Sequence, residues 1–341
     1  VMQAHSSRRI KTFSIGFEDP TYDEAQHAQA VARHLGTDHT QVYMTDRDAR
    51  EVIPNLPSIF DEPFADSSQI PTYLVARLAR KQVTVSLSGD GGDELFCGYP
   101  RYLLFRKLWR RVAFVPRLLR QSGGRAVYPL LVRTNARRLC RTARLLADGS
   151  PEALYQELVS AWKSPEDIVL GGAEQTTAFT NPPSGGRLCE PLRRMMYIDL
   201  MSYLPDDILV KVDRATMAVC LESRSPLLDH QLVEFALQRP HNQLVRNGET
   251  KWILRQVLDR YVPRALVERP KMGFGVPLAK WLRQPLRQWA NERLEKRRLL
   301  DEGFFYAAPV HEKWDQHCRG EQDWSAYLWR ILMFQEWYEA C

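Results

Sequence analysis

Short apolar runs alternate with helical patterns through the N-terminal part of the chain, and this alternation restricts the fold more than any other feature of the sequence. Strands are predicted at Lys11–Phe17, Thr40–Met44 and Val83–Leu87. Between them, Tyr22–Leu35 and Pro71–Lys81 carry apolar residues at helical spacing. Strands that are separated by helices usually pair in parallel. The pattern therefore predicts an α/β fold built on a doubly wound parallel sheet.

The remainder of the chain shows no comparable strand signal, and helical patterns follow one another instead. These patterns predict helices at Arg101–Arg120, Pro151–Trp162, Leu192–Asp213, Asp229–Gln238, Lys251–Tyr261 and Trp324–Glu339. We therefore predict an α/β part over residues 1–100 and a mostly helical part over residues 101–341.

Positive charge is concentrated in one stretch of a chain whose net charge is +6. Thirteen Lys or Arg residues and no acid lie between Arg101 and Arg144, which could form a polyanion-binding surface. The alternative is a set of solvated helical faces, because Arg106, Lys107 and Arg110 alternate with apolar residues in an amphipathic pattern. No aromatic stacking platform accompanies the charge. The solvated faces are therefore favoured, and nucleic acid is not expected as a partner.

Other classes of protein are disfavoured by what the sequence lacks. No run approaches the roughly 18 apolar residues that a membrane span requires, and the first residues do not resemble a signal peptide. The six cysteines form no CxxC pair and are expected to be reduced thiols in the cytoplasm.

The segment SLSGDGGDELFCGYPRY (86–102) places three acids among glycines directly after a predicted strand. In doubly wound sheets, ligands bind beyond the carboxyl ends of strands, and glycines let backbone N–H groups approach a ligand closely. Carboxylates would repel a phosphate unless a hard cation lies between them, which Asp90 or Asp93 could supply by holding Mg²⁺. A structural turn in which Asp93 caps a helix is the alternative, and the loop alone does not decide between them.

Four segments, one of which includes this loop, decide the question together. They are TFSIGFEDPTYDE (12–24), DEPFADSSQIPTYLVARLA (61–79) joined to the loop above, LPDDILVKVDRATMAVCLESRSPLLD (204–229) and KMGFGVPLAKWLR (271–283). In this order they resemble the synthetase domain of glutamine-hydrolysing asparagine synthetases, whose fold is adenine nucleotide alpha hydrolase-like.

The resemblance implies that ATP adenylylates a substrate carboxylate, that AMP and pyrophosphate leave, and that ammonia attacks the acyl-adenylate. ATP and Mg²⁺ are the implied cofactors. Aspartate is the default acceptor. A uronic acid in polysaccharide assembly, or the internal acceptor of a β-lactam synthetase, stays open, as does a polyanion-binding protein of another class.

The resemblance also implies roles for particular residues. The adenine contact of the family is a backbone group that falls on Ile15, and its ATP-contacting pair falls on Ser88 and Gly89. Asp90 falls where the family has an acidic residue that acts on the acyl-adenylate, although many relatives carry Glu there. The magnesium aspartate of the family falls on Asp93.

The catalytic cation is less clearly placed. The catalytic lysine of the family falls at Arg214 when counted back from SPLLD, while Lys211 lies one helical turn earlier. For either residue, the structural alternative is an ion pair with Asp213 within the same helix. An arginine would favour charge stabilisation over proton transfer. Lys271 is expected to cover the ATP phosphates from a mobile loop, with a tight turn between helices as the alternative.

One departure from the family is large. The phosphate loop S-G-G-x-D-S does not occur in this sequence, and in relatives it lies just upstream of a segment like VMQAHSSRRIK. The glutaminase domain, which supplies ammonia, would lie further upstream. We therefore expect the chain to be a fragment that is inactive by itself, with a homodimer as a possible assembly of the whole protein.

Overall fold

The computed structural model describes residues 1–17, 19, 21–116, 119, 122–123, 149–173, 175–181, 190–268 and 275–341. The helix predicted over Arg101–Arg120 is observed at Pro100–Ala113, and most of the basic stretch beyond it lies outside the described residues. Within the described ranges, no helix is both long and apolar enough to span a bilayer.

The described residues contain four strands, which form two parallel pairs. β1 (Lys11–Phe17) pairs with β2 (Asp38–Met44) in the register Lys11 to Asp38. β3 (Val85–Leu87) pairs with β4 (Glu222–Arg224) in the register Val85 to Glu222. The predicted α/β class and parallel pairing are confirmed, and β1 has the bounds that the sequence predicts. β4 was not predicted, because three residues that read Glu-Ser-Arg carry no strand pattern.

Helices make up most of the rest of the described chain, as predicted. The first group consists of the helices Ala25–Leu35, Asp46–Val52, Leu56–Phe60, Gln69–Arg80, Gly92–Leu95, Pro100–Ala113 and Pro151–Val159. The second consists of Pro191–Met201, Val210–Met217, His230–Gln238, His241–Leu244, Trp252–Leu258, Arg264–Val267, Leu278–Arg283, Arg287–Arg293, Lys296–Glu302, Ala307–Cys318 and Ser325–Ala340. Short 3₁₀ turns lie at Gln3–His5, Ile53–Asn55, Pro165–Asp167 and Pro226–Leu228.

The single helix predicted over Leu192–Asp213 is wrong. The structure has an α-helix at Pro191–Met201, a π-helix at Leu204–Leu209 and a second α-helix at Val210–Met217. Pro205 has no N–H to donate and would interrupt the hydrogen-bond ladder of a continuous α-helix. π-Helical turns are frequent at functional sites, and this one leads into the helix that carries two predicted site residues.

Two large hydrophobic cores lie among the described residues, and the second of them borders the acidic glycine loop. The first joins β1 to the C-terminal helices and includes Ile15, Phe17, Trp281 and Trp329. The second lies under the helices that follow β3 and begins with Leu95, Phe96 and Cys97, the residues directly after the acids of the loop. The second core therefore anchors the loop on its C-terminal side.

Candidate active site

The carboxyl ends of β3 and β4 bring two serines together at the start of the acidic glycine loop. The Ser88 N–H donates a hydrogen bond of 2.9 Å to the Arg224 carbonyl and so continues the pairing beyond β3. The hydroxyl oxygens of Ser88 and Ser225 lie 3.1 Å apart. Because ligands of α/β sheets bind beyond the carboxyl ends of strands, these serines lie where a ligand site is expected.

The loop turns sharply at its glycines. The Ser88 hydroxyl donates a hydrogen bond of 2.7 Å to Asp90 Oδ2, which orients that carboxylate. Gly91 is left-handed with φ +85°, and a Cβ there would lie 2.2 Å from Leu228 Cδ2, so glycine is needed for both reasons. A Cβ on Gly89 would meet no described atom within 4 Å, which leaves room for a ligand beside the backbone.

Asp93 faces a lysine that the sequence reasoning did not single out. Lys251 Nζ lies 3.1 Å from Asp93 Oδ2. The Lys251 backbone is left-handed with φ +54°, and its N–H donates a hydrogen bond of 3.1 Å to the Phe96 carbonyl. The only sequence signal was its position at the start of a predicted helix, after the turn that contains Gly248. Lys251 is therefore a cation of the site that the fold brings to the loop from a distant segment.

Glu94 points away from solvent and into the protein. It is 2% exposed, and its Oε1 accepts a hydrogen bond of 2.6 Å from the Tyr99 hydroxyl. Burial raises the pKa of Glu94, and the Tyr99 hydrogen bond offsets part of that rise. Glu94 is thus a buried support of the loop, whereas Asp90 and Asp93 are partly exposed.

A guanidinium and an aspartate hold the tyrosines beneath the loop. The Arg101 guanidinium carbon lies 3.9 Å from the centre of the Tyr99 ring and 4.6 Å from that of Tyr203. Asp199 Oδ2 accepts hydrogen bonds from Arg101 at 2.8 Å and from Tyr102 and Tyr155 at 2.7 and 2.6 Å. Since Asp199 is 2% exposed, this is a buried charge pair with further hydrogen-bond donors around it.

The two basic residues proposed as catalytic from the sequence contact other acids. Lys211 Nζ lies 2.5 Å from Asp66 Oδ2 and 3.9 Å from Asp207 Oδ1. Arg214 lies 3.7 Å from Asp61, and both of those side chains are well exposed. The structure therefore places Lys211 in a buried ion-pair cluster and Arg214 in a solvated pair, whereas Lys251 contacts the loop.

The carboxylates around Lys211 have opposite pKa shifts. Burial alone would raise the pKa of Asp66, but the Lys211 ammonium and the hydrogen bonds from Ser68 together outweigh burial and lower the pKa overall. Burial and the nearby Asp66 charge raise the pKa of Asp207 to about 7. Two carboxylates close together commonly behave in this way, because one holds a proton more strongly.

The remaining predicted residues lie elsewhere. Ile15 is 6% exposed in the first core and pairs with Val42 across β1 and β2, so only its backbone is available to a ligand. Lys271 lies outside the described residues, and its role stays a prediction.

The donor set of the loop fits a magnesium–nucleotide complex better than a metal held by protein alone. The described residues contain no group of three or more His, Cys, Asp or Glu side chains that could hold a metal ion. In nucleotide sites, Mg²⁺ usually takes one or two carboxylates and completes its shell with phosphate oxygens and water. The partly exposed Asp93 carboxylate suits that role.

Comparison with known proteins gives one consistent family. The family model described as asparagine synthase matches residues 1–339. A Mycobacterium tuberculosis protein whose name assigns it to the glutamine-hydrolysing asparagine synthetases is 34% identical over 340 residues, which are 97% of this chain and 50% of that protein. Asparagine synthetase 1 of Bacillus subtilis is 30% identical over 96% of this chain and 52% of its own length. The human asparagine synthetase is 22% identical over 94% of this chain and 46% of its own length. The chain thus spans about half the length of these relatives.

Proposed function

This chain belongs to the asparagine synthase family, and on that premise we propose that the complete protein uses ATP to amidate a carboxylate. The reaction would pass through an acyl-adenylate and release AMP and pyrophosphate. The observation that carries the proposal is the glycine loop at the ends of β3 and β4, whose Asp93 carboxylate lies 3.1 Å from the ammonium group of Lys251, a residue of a distant segment.

ATP would bind along the carboxyl ends of the strands. The backbone of Ile15 is proposed to contact adenine, while Ser88 and Gly89 would contact the nucleotide through the hydroxyl and the open backbone. Lys271 is proposed to cover the phosphates. Asp93 would hold Mg²⁺, which neutralises charge on the pyrophosphate leaving group when it is bound.

Asp90 and one basic residue are proposed to act on the reacting carboxyl group. Asp90 is oriented by Ser88, so its carboxylate is held in place before a substrate binds. For the cation, Lys251 fits better than Lys211 or Arg214, because it contacts the loop and they contact Asp66 and Asp61. Variants of these three residues compared in one assay would decide between them.

Further parts of the proposal concern the fold, the acceptor and the setting. The two strand pairs are proposed to belong to one doubly wound sheet, and the division at residue 100 stays a prediction. Aspartate is the proposed acceptor, with a glutaminase domain supplying ammonia from glutamine. We propose a cytoplasmic setting, where ATP is available. A homodimer stays a prediction.

The test is acceptor-dependent release of pyrophosphate by the complete protein encoded by the gene. With ATP, Mg²⁺, glutamine and aspartate, we expect pyrophosphate and asparagine in equal amounts. Release with a uronic acid in place of aspartate would redirect the acceptor assignment, and release without any nitrogen donor would favour a β-lactam synthetase type of reaction.

An Asp93→Asn variant tests the assignment of the loop. We expect kcat to fall by about 100-fold or more, because the variant loses the charge that holds the cation and faces Lys251. The matched control is Asp301→Asn, an exposed aspartate of the C-terminal region. Full turnover in Asp93→Asn would remove the basis of the proposal.

A further inference from the structure

We infer that Gly98, Tyr99 and Glu94 are positioning residues, which together fix the Asp93 carboxylate against the Lys251 ammonium group. The inference rests on the proposed function for its kinetic consequences, but its geometry stands on the described residues alone. Glu94 and Tyr99 restrain the loop from its buried side, and Gly98 leaves the space in which the Asp93 and Lys251 side chains meet.

Gly98 is needed because there is no room for a side chain. A Cβ on Gly98 would lie 2.0 Å from Asp93 Oδ1 and 2.2 Å from Lys251 Cε. The same residue ties the turn together, since the Gly98 N–H donates a hydrogen bond of 2.7 Å to the Asp93 carbonyl. The atoms that a Cβ would meet are near the ends of side chains, so an alanine would displace the charged groups and leave the backbone in place.

Tyr99 and Glu94 hold the other side of the loop. Glu94 neighbours Asp93 in the short helix Gly92–Leu95, and the 2.6 Å hydrogen bond from the Tyr99 hydroxyl restrains its side chain. Because a buried acceptor without its donor is destabilised, the Glu94 side chain has a strong preference for this one arrangement. The short helix, and the Asp93 side chain that it carries, are restrained with it.

The hydrogen bond from Tyr99 to Glu94 is itself supported by the charged pair of Arg101 and Asp199. The Arg101 guanidinium lies over the face of the Tyr99 ring at 3.9 Å, and Asp199 holds that guanidinium at 2.8 Å. The Tyr99 ring also meets the Tyr203 ring edge-on, with centroids 5.8 Å apart. The tyrosine is thus fixed on two sides, so its hydroxyl has a defined position from which to orient Glu94.

The close approach at Gly98 means that a side chain there would change the positions of the Asp93 carboxylate and the Lys251 ammonium group. Relief of the contacts that a Gly98 Cβ would make requires a shift of about 1 Å or more, since ordinary carbon contacts lie at about 3.5 Å. Misplacement of reacting groups by about 1 Å can lower a rate about 100-fold. A merely structural role for Gly98 would instead lower stability and leave kcat and the magnesium requirement unchanged in the folded protein.

The first test is Gly98→Ala in the complete protein. We expect kcat to fall about 100-fold, the Mg²⁺ concentration for half-maximal rate to rise several-fold, and the thermal midpoint to stay within a few degrees of the wild type. A crystal structure of the variant should show Lys251 Nζ more than 4 Å from Asp93. An unchanged kcat in a folded variant, or an unchanged distance, would overturn the inference.

The second test compares two tyrosines and does not depend on whether Gly98→Ala folds. Tyr99→Phe and Tyr102→Phe each remove one hydroxyl that donates to a carboxylate, but only Tyr99 donates to Glu94. We expect Tyr99→Phe to raise the Mg²⁺ concentration for half-maximal rate and to weaken binding of Mg²⁺ with ATP measured by calorimetry. Because the Tyr102 hydroxyl reaches the loop only indirectly, through Asp199 and Arg101, Tyr102→Phe should change the magnesium dependence less than Tyr99→Phe does.

The outcomes separate this inference from the proposed function. If the wild-type protein releases no pyrophosphate with any acceptor, the proposed function fails, while the distance measured in Gly98→Ala still tests the geometry. If the wild type is active and both tyrosine variants show the same magnesium dependence as the wild type, the positioning role fails and the proposed function stands.

Discussion

Replacement of Asp207 by asparagine should change how stability depends on pH, in a direction that the structure fixes. In the folded protein, burial and the Asp66 charge raise the pKa of Asp207 to about 7, whereas an unfolded aspartate titrates near 3.9. A group with a raised pKa in the folded state stabilises the fold below its unfolded pKa. This contribution is lost as pH rises through the folded value, so wild-type stability should fall between pH 5 and pH 8.

The size of the effect follows from the pKa difference. Between pH 5 and a folded pKa of about 7, two pKa units correspond to about 2.7 kcal/mol. The Asp207 side chain is 33% exposed and lies near the Lys211 ammonium, so screening reduces the effect to roughly 1–2 kcal/mol. The lowered pKa of Asp66 acts in the other direction, but its contribution is lost only as pH falls below about 4. It therefore does not interfere in this window.

The assay is urea unfolding of the wild type and of Asp207→Asn at pH 5 and pH 8. Because asparagine, like a protonated aspartate, does not titrate in this window, the stability of the variant relative to the wild type should increase by roughly 1–2 kcal/mol between pH 5 and pH 8. Asp206→Asn is the matched control, because Asp206 neighbours Asp207 on the exposed side of the π-helix. If Asp207→Asn and the wild type differ equally at both pH values, the reasoning about this partly buried carboxylate is wrong.

Three further changes test other parts of the structure. Lys251→Gln should lower kcat about 100-fold while the midpoint of thermal unfolding changes little, since Lys251 is proposed to stabilise charge in the reaction. Steady-state kinetics and a melting curve measure the two quantities, and an undiminished kcat would exclude Lys251 as the catalytic cation. Asp199→Ala should cost about 3–5 kcal/mol in urea unfolding, because the partly buried Arg101 charge and two tyrosine hydroxyls lose their common partner; a loss below about 1 kcal/mol would show that the pair is dispensable. Gly16→Ala should cost about 1–3 kcal/mol, because its Cβ would lie 2.7 Å from the Tyr43 ring and 2.8 Å from Ala25; unchanged stability would show that these contacts relax.

Much of the fold could be predicted because its main elements carry recognisable apolar patterns. β1 is a run of seven residues whose last three, Ile15–Phe17, are buried, and the helix Gln69–Arg80 buries seven of its twelve residues. A short apolar run indicates a buried strand and a longer apolar segment at helical spacing indicates a helix, so both are visible in a single sequence. The position of the loop at Ser88–Glu94 directly after β3 was likewise predictable, whereas its residue types alone left a ligand site and a structural turn as alternatives.

β4 and the π-helix could not be predicted, because neither has a periodic pattern of its own. β4 is a strand only because β3 offers it backbone partners: Val85 and Leu87 are 42% and 53% exposed, so side-chain burial contributes little to this pairing. The π-helix at Leu204–Leu209 interrupts an amphipathic pattern that would otherwise continue. The periodicity of apolar residues in a sequence indicates only which side chains are buried. In both of these segments the backbone conformation is decided instead by backbone hydrogen bonding, which leaves no such pattern.

The left-handed backbones around the loop explain why Lys251 was also missed. Cys97 and Lys251 have φ +57° and +54°, and a left-handed conformation costs a residue with a side chain about 1–2 kcal/mol. At Cys97 the cost is offset by complete burial in the second core. At Lys251 it is offset by the hydrogen bond to the Phe96 carbonyl and by the contact with Asp93. Both compensating contacts join segments that are far apart in the chain, so no local pattern could reveal them. Strained residues that the surrounding structure holds in this way cluster at functional sites. The strained lysine beside the loop is therefore a stronger candidate for the catalytic cation than the unstrained basic residues on the helix Val210–Met217.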